Sequence, residues 1–67
     1  MSVVKQRRLR TGTMILSMKL EQSHFYLYHT DLVTGVETLV AANDDAEVVN
    51  KAFNKQVELD KRASDGP

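Results

Sequence analysis

Residues Phe25 to Ala42, FYLYHTDLVTGVETLVAA, hold two apolar runs joined across a glycine, and few folds accommodate that arrangement. Tyr26, Leu27 and Tyr28 on one side and Val36, Thr38, Leu39 and Val40 on the other suit a pleated, half-buried surface. Between them, Asp31-Leu32-Val33-Thr34-Gly35 has the chemistry of a tight turn. An aspartate can accept hydrogen bonds from backbone N–H groups just ahead of it. Gly35 can take the positive φ that closes a short hairpin loop. The pattern predicts a β-hairpin, with strands over roughly 24–30 and 36–42.

The stretch before it alternates. Met14, Leu16, Met18 and Leu20 fall on one side, and Ile15, Ser17, Lys19 and Glu21 on the other. Strict alternation predicts a strand with one buried face. Met, Leu, Lys and Glu are also good helix formers. The polar Glu21-Gln22-Ser23 turn nevertheless ends the run at a length typical of a strand. Short connections make consecutive strands antiparallel neighbours, so the expectation is a three-stranded antiparallel meander. Phe25, Leu27 and His29 share one face of the second strand, and His24, Tyr26 and Tyr28 the other.

Asn43-Asp44-Asp45 ends the sheet and begins a helix. With Asp44 as the N-cap, Glu47 stands three residues on, an Asp-headed capping box. Ala46, Val49, Phe53 and Val57 then recur every three or four residues as an apolar stripe. Lys61 and Arg62 suit the negative end of the helix dipole, and Glu47–Lys51 and Glu58–Arg62 form i,i+4 pairs. The fold class expected is α+β, in the order β-β-β-α. It comprises a basic flexible arm at 1–13, a single domain at 14–63 and a frayed tail at 64–67.

Sixty-seven residues bury little surface, and a lone copy of so small a domain is marginally stable. There is no cysteine to staple it and only two histidines, which leaves oligomerisation as the expected aid. No apolar run is long enough to span a bilayer, and Met14-Ile15-Leu16 is too short for a signal-peptide core. The expected location is therefore cytoplasmic, with no membrane partner.

One helix covers one face of a small sheet, yet the second face carries Tyr26, Tyr28, Leu39, Ala41 and, on the first strand, Ile15. A large exposed apolar patch marks an interface, and twofold dimers are the commonest oligomer. Tyr26, Tyr28, Leu39 and Ala41 are accordingly the candidate interface residues. The partner expected there is a second copy of the chain or another protein.

Charge is unevenly spread although the net charge is zero. Residues 1–10 hold Lys5, Arg7, Arg8 and Arg10 and no acid, while residues 11–67 hold five bases and nine acids. Basic arms bind phosphate backbones by releasing counterions. Lys5, Arg7, Arg8 and Arg10 are thus candidate nucleic-acid contacts, with Tyr26 and Tyr28 able to stack bases. The plainer alternatives are a solvated tail and packing of the tyrosines within an interface. The acids of the body also oppose a nucleic-acid strand laid on the sheet.

Nothing predicts catalysis, a cofactor or a metal. His24 and His29 are five apart on a strand and project to opposite faces. Asp44, Asp45 and Glu47 are explained by helix capping. The three glycines stand alone rather than in a phosphate loop. Met14, Met18, Phe25 and Phe53 are most simply core. The functional expectation is a non-enzymatic interaction or regulatory protein acting as a homodimer. The alternative is a nucleic-acid-binding protein using its basic arm.

Overall fold

The computed structural model describes residues 1–65. Strands β1 (Ser2–Arg8), β2 (Met14–Glu21), β3 (His24–Asp31) and β4 (Glu37–Asn43) are followed by helix α1 (Ala46–Asp65). All neighbours pair antiparallel in the order β1-β2-β3-β4, so the sheet is an unbroken meander. The thinnest dimension is 15 Å, as expected of one sheet and one helix layer.

The α+β class, the antiparallel sheet and the C-terminal helix are as the sequence predicts. The number of strands is not, because the sheet has four where three are expected. The added strand is Ser2–Arg8, within the segment expected to be a mobile arm. Its side chains are exposed except for half-buried Lys5, so apolar alternation cannot reveal it. Its backbone ladder with β2 holds it instead, in a register running from Ser2 opposite Leu20 to Arg8 opposite Ile15. Leu9 anchors its end. The chain turns at 9–12, where the Leu9 N–H donates to the Met14 carbonyl (2.9 Å) and the Gly12 N–H to the Leu9 carbonyl (3.0 Å). That turn drives the Leu9 side chain into the core.

The two later hairpins differ in how they turn. At 31–35, Asp31 Oδ1 accepts from the N–H groups of Val33 (2.9 Å) and Thr34 (3.3 Å). The Gly35 N–H donates to the Asp31 carbonyl at 2.7 Å, with Gly35 at φ 77°. This is the loop the sequence predicts. The β2–β3 turn has only Gln22 and Ser23 between the paired residues Glu21 and His24. Both take positive φ, 49° and 67°, the backbone of a two-residue type I′ loop, for which Asn-Gly is the favoured pair. Left-handed backbone costs such L residues about 1 kcal/mol each. Asn relieves only part of that cost and Gly adds entropy to the unfolded chain, so of the two residues' total the double substitution Gln22→Asn/Ser23→Gly should recover about 1 kcal/mol and raise the thermal midpoint by roughly 4–8 °C in a domain of this size. Thermal unfolding followed by circular dichroism measures it. An unchanged or lower midpoint contradicts the left-handed turn.

The helix starts one residue later than predicted. Asp45, rather than Asp44, is the N-cap, with its Oδ1 accepting from the Glu47 N–H at 2.9 Å. Asn43 Oδ1 in turn accepts from the Asp45 N–H at 2.8 Å. The helix continues to Asp65, into the segment expected to fray; Gly66 and Pro67 lie outside the described residues. The apolar stripe is as predicted, with Val49, Phe53 and Val57 buried. Of the helix ion pairs expected, Glu58–Arg62 forms at 3.7 Å on the exposed surface, where such a pair contributes a few tenths of a kcal/mol.

The helix lies over β2, β3 and β4. Its buried stripe meets Leu16, Met18 and Leu27, with Leu9 closing one end and Met14, Phe25 and Ala41 at the margin. β1 lies beyond the helix's footprint. Lys5 reaches back from it, its ammonium 4.3 Å from the Phe53 ring centroid and donating to Asn50 Oδ1.

Candidate interaction face

The helix leaves the opposite side of the sheet uncovered. Cross-strand pairing sorts the residues of that open face into rows. Arg8, Ile15, Thr30 and Glu37 form one row, and Gln6, Ser17, Tyr28 and Leu39 the next. Val3, Lys19, Tyr26 and Ala42 form a third. Directly opposed side chains in such rows are in contact range.

The centre of the face is organised by its two tyrosines. The Tyr26 and Tyr28 rings lie 6.3 Å apart at an interplanar angle of 24°, an offset stack. Lys19 extends from β2 with its ammonium 5.1 Å from the Tyr28 centroid and 3.1 Å from Glu37 Oε1 on β4. Its aliphatic stem covers apolar surface while the charge is met at the tip. Ser17, a small residue paired with Gln6 and Tyr28, is only 5% exposed. The flanks are open, with Val3 and Leu39 each 53% exposed.

Tyr26, Tyr28 and Leu39 therefore share this face, as the sequence predicts. Ala41 does not. The β3–β4 register slips between Leu27 and Tyr28, pairing Leu27 with Ala41 but Tyr28 with Leu39. Val40 is the extra residue of a β-bulge, and the bulge reverses the alternation beyond it. Ala41 turns to the helix side and packs against the core, while Ala42 takes its place opposite Tyr26. Lys19 and Glu37 join the face although strand alternation alone could not pair them. Their contact depends on the cross-strand register.

The four cations near the N-terminus do not form one patch. Lys5 and Arg7 pair with Met18 and Leu16 on the helix side, whereas Arg8 pairs with Ile15 on the open side. Lys5 is engaged by Asn50 and Phe53. Arg10 lies in the β1–β2 turn, where its backbone N–H donates to Asp60 Oδ2 at 3.1 Å.

Other polar groups have structural work. His24 and His29 pair with residues of opposite faces, as strand alternation predicts. Among the described residues no three His, Cys, Asp or Glu side chains gather as metal ligands. No described helix is long and apolar enough to cross a membrane. A hollow of about 310 Å³ lies on the helix side, between β1 and the first turns of α1. Val4, Lys5, Met18, Ala46, Glu47 and Asn50 line it, and the Lys5–Asn50 hydrogen bond ties its two walls together.

Comparison with known proteins finds no matching family model, no similar curated protein and no similar solved structure.

Proposed function

We propose that this protein is a non-enzymatic interaction module that pairs with a second copy of itself through the open sheet face. The uncovered sheet side carries the reading: Tyr26, Tyr28, Ile15, Ala42, Val3 and Leu39 share it, and among the described residues no element packs over it. Antiparallel sheets with one solvated face place polar residues there, whereas in these rows Ile15, Tyr28, Leu39, Val3, Tyr26 and Ala42 alternate with the polar residues.

The area suits a reversible contact. Four strands at about 4.8 Å and seven residues at about 3.3 Å give a face of roughly 19 by 23 Å. The projected area is then on the order of 440 Å² per copy, which puts a pair near the ~1,000 Å² threshold of specific interfaces. A contact of this size is expected to be reversible and to depend on concentration. A composition without cysteine suits the cytoplasm.

Nucleic-acid binding has less support. It needs cations gathered on one side, and the arm's cations are divided between two faces, with Lys5 held by Asn50.

Leu39→Asp puts a charge on the flank of the proposed contact, beside Tyr28, on an edge-strand residue outside the core. The expected result is a sedimentation mass that falls from two chains to one at tens of micromolar, with an unchanged circular dichroism spectrum. A wild-type chain that is already monomeric there, or a Leu39→Asp chain that remains dimeric, removes the proposal.

A further inference from the structure

Charge divides across the sheet. Residues 1–19 hold five bases and no acid, and residues 20–50 hold six acids and no base. In the strand order β1-β2-β3-β4 the open face keeps one charge from each edge strand, Arg8 on β1 and Glu37 on β4, while Lys5 and Arg7 lie on the helix side. Two copies meeting face to face have two twofold arrangements. An axis running across the strands lays β1 over β1 and β4 over β4 with the rows reversed, which sets Arg8 over Val3 and Glu37 over Ala42. An axis running along the strands lays β1 of one copy over β4 of the other, which sets opposite charges together.

Resting on the face-to-face contact proposed above, we infer that the second copy docks in the orientation whose axis runs along the strands. The contact that fixes this orientation is Arg8 of one copy with Glu37 of the other, made twice at the margins of the face. Both residues are exposed, both lie on the open face, and they stand at opposite ends of the same row. Reversing that row onto itself brings each Arg8 over the second copy's Glu37. The next rows match as well. Small, recessed Ser17 receives the second copy's Tyr28, and Lys19 faces the second copy's Tyr26. Stacked sheets lie about 10 Å apart, and their strands are turned by about 30°. Both Arg and Glu have the length to bridge that gap at the end of a row. Glu37 already accepts from Lys19 of its own chain at 3.1 Å. Its carboxylate has lone pairs for a second cation as well. The opposite orientation lays Arg8 over the second copy's Val3 and Glu37 over its Ala42, so neither charge meets a partner there and the complementary arrangement is preferred.

The chain has no cysteine, so single introduced thiols report the orientation without background. Arg8→Cys and Glu37→Cys chains, carrying different tags, are mixed and treated with a bismaleimide matched to the ~10 Å sheet spacing. The expected product is the mixed cross-linked pair, at least about tenfold over either like pair. Adding Leu39→Asp to both chains should abolish it. Preferential Arg8→Cys self-pairs overturn the orientation and leave the face-to-face contact standing. A dimeric mass with no cross-link from either thiol overturns the orientation too. A monomeric wild-type mass by sedimentation removes the face-to-face contact itself, and the orientation with it.

Discussion

Replacing Leu27 with alanine should take away about a third or more of the domain's folding free energy. Leu27 is fully buried, at the middle of the central strand β3, between Met18 and Ala41. Leu→Ala at such a position costs roughly 3–5 kcal/mol, from lost burial and the cavity left behind. A chain of 67 residues at about 0.05–0.15 kcal/mol per residue has only some 3–10 kcal/mol to lose. Val33→Ala is the control. That side chain is 77% exposed at the hairpin tip, and its removal should change stability by less than about 0.5 kcal/mol. Urea unfolding of the two variants decides it. Equal midpoints contradict the placement of the core.

Deleting residues 1–10 should destabilise the whole domain rather than trim a tail. The deletion removes the β1–β2 ladder, the Lys5 contacts and Leu9 from the core. Leu9 alone accounts for about 2–4 kcal/mol, which at 4–8 °C per kcal/mol lowers the thermal midpoint by on the order of 10–30 °C. The deletion also bares the β2 edge, MILSMKLE, in place of a strand blunted by charges and by the register shift at Val4, which pairs with no β2 residue, and exposed apolar edges aggregate. A mobile arm predicts the opposite, an unchanged midpoint and a soluble product. Calorimetry of the truncated chain separates the two.

These cases show where the chain could be read and where it could not. β2, β3 and α1 announce themselves because each buries one side, and burial imposes a period of two or of three to four on the residues. The 31–35 loop is legible because Asp31 and Gly35 each have a local job that few other residues do. β1 is silent since an edge strand outside the helix's footprint satisfies its backbone without burying alternate side chains. Leu9 is silent for a related reason, being one apolar residue among cations, and only the turn at 9–12 brings it inward. On the open face, Tyr26, Tyr28 and Leu39 follow from simple alternation. Ala41 does not, because a bulge is a property of the pairing between two strands and leaves no mark of its own on either. The Lys19–Glu37 contact, spanning the width of β3, is hidden for the same reason.

The bulge at Val40 has a further consequence for how this chain tolerates change. With Val40 present, β4 serves two masters: Leu39 and Glu37 belong to the outer surface, while Ala41 belongs to the interior. Excising that one residue joins Leu39 directly to Ala41, which already face opposite sides across from Tyr28 and Leu27, so the shortened strand alternates evenly with every residue on its present side. A single-codon loss at this point therefore removes only the local kink and added twist of the bulge and leaves each surface with its own residues.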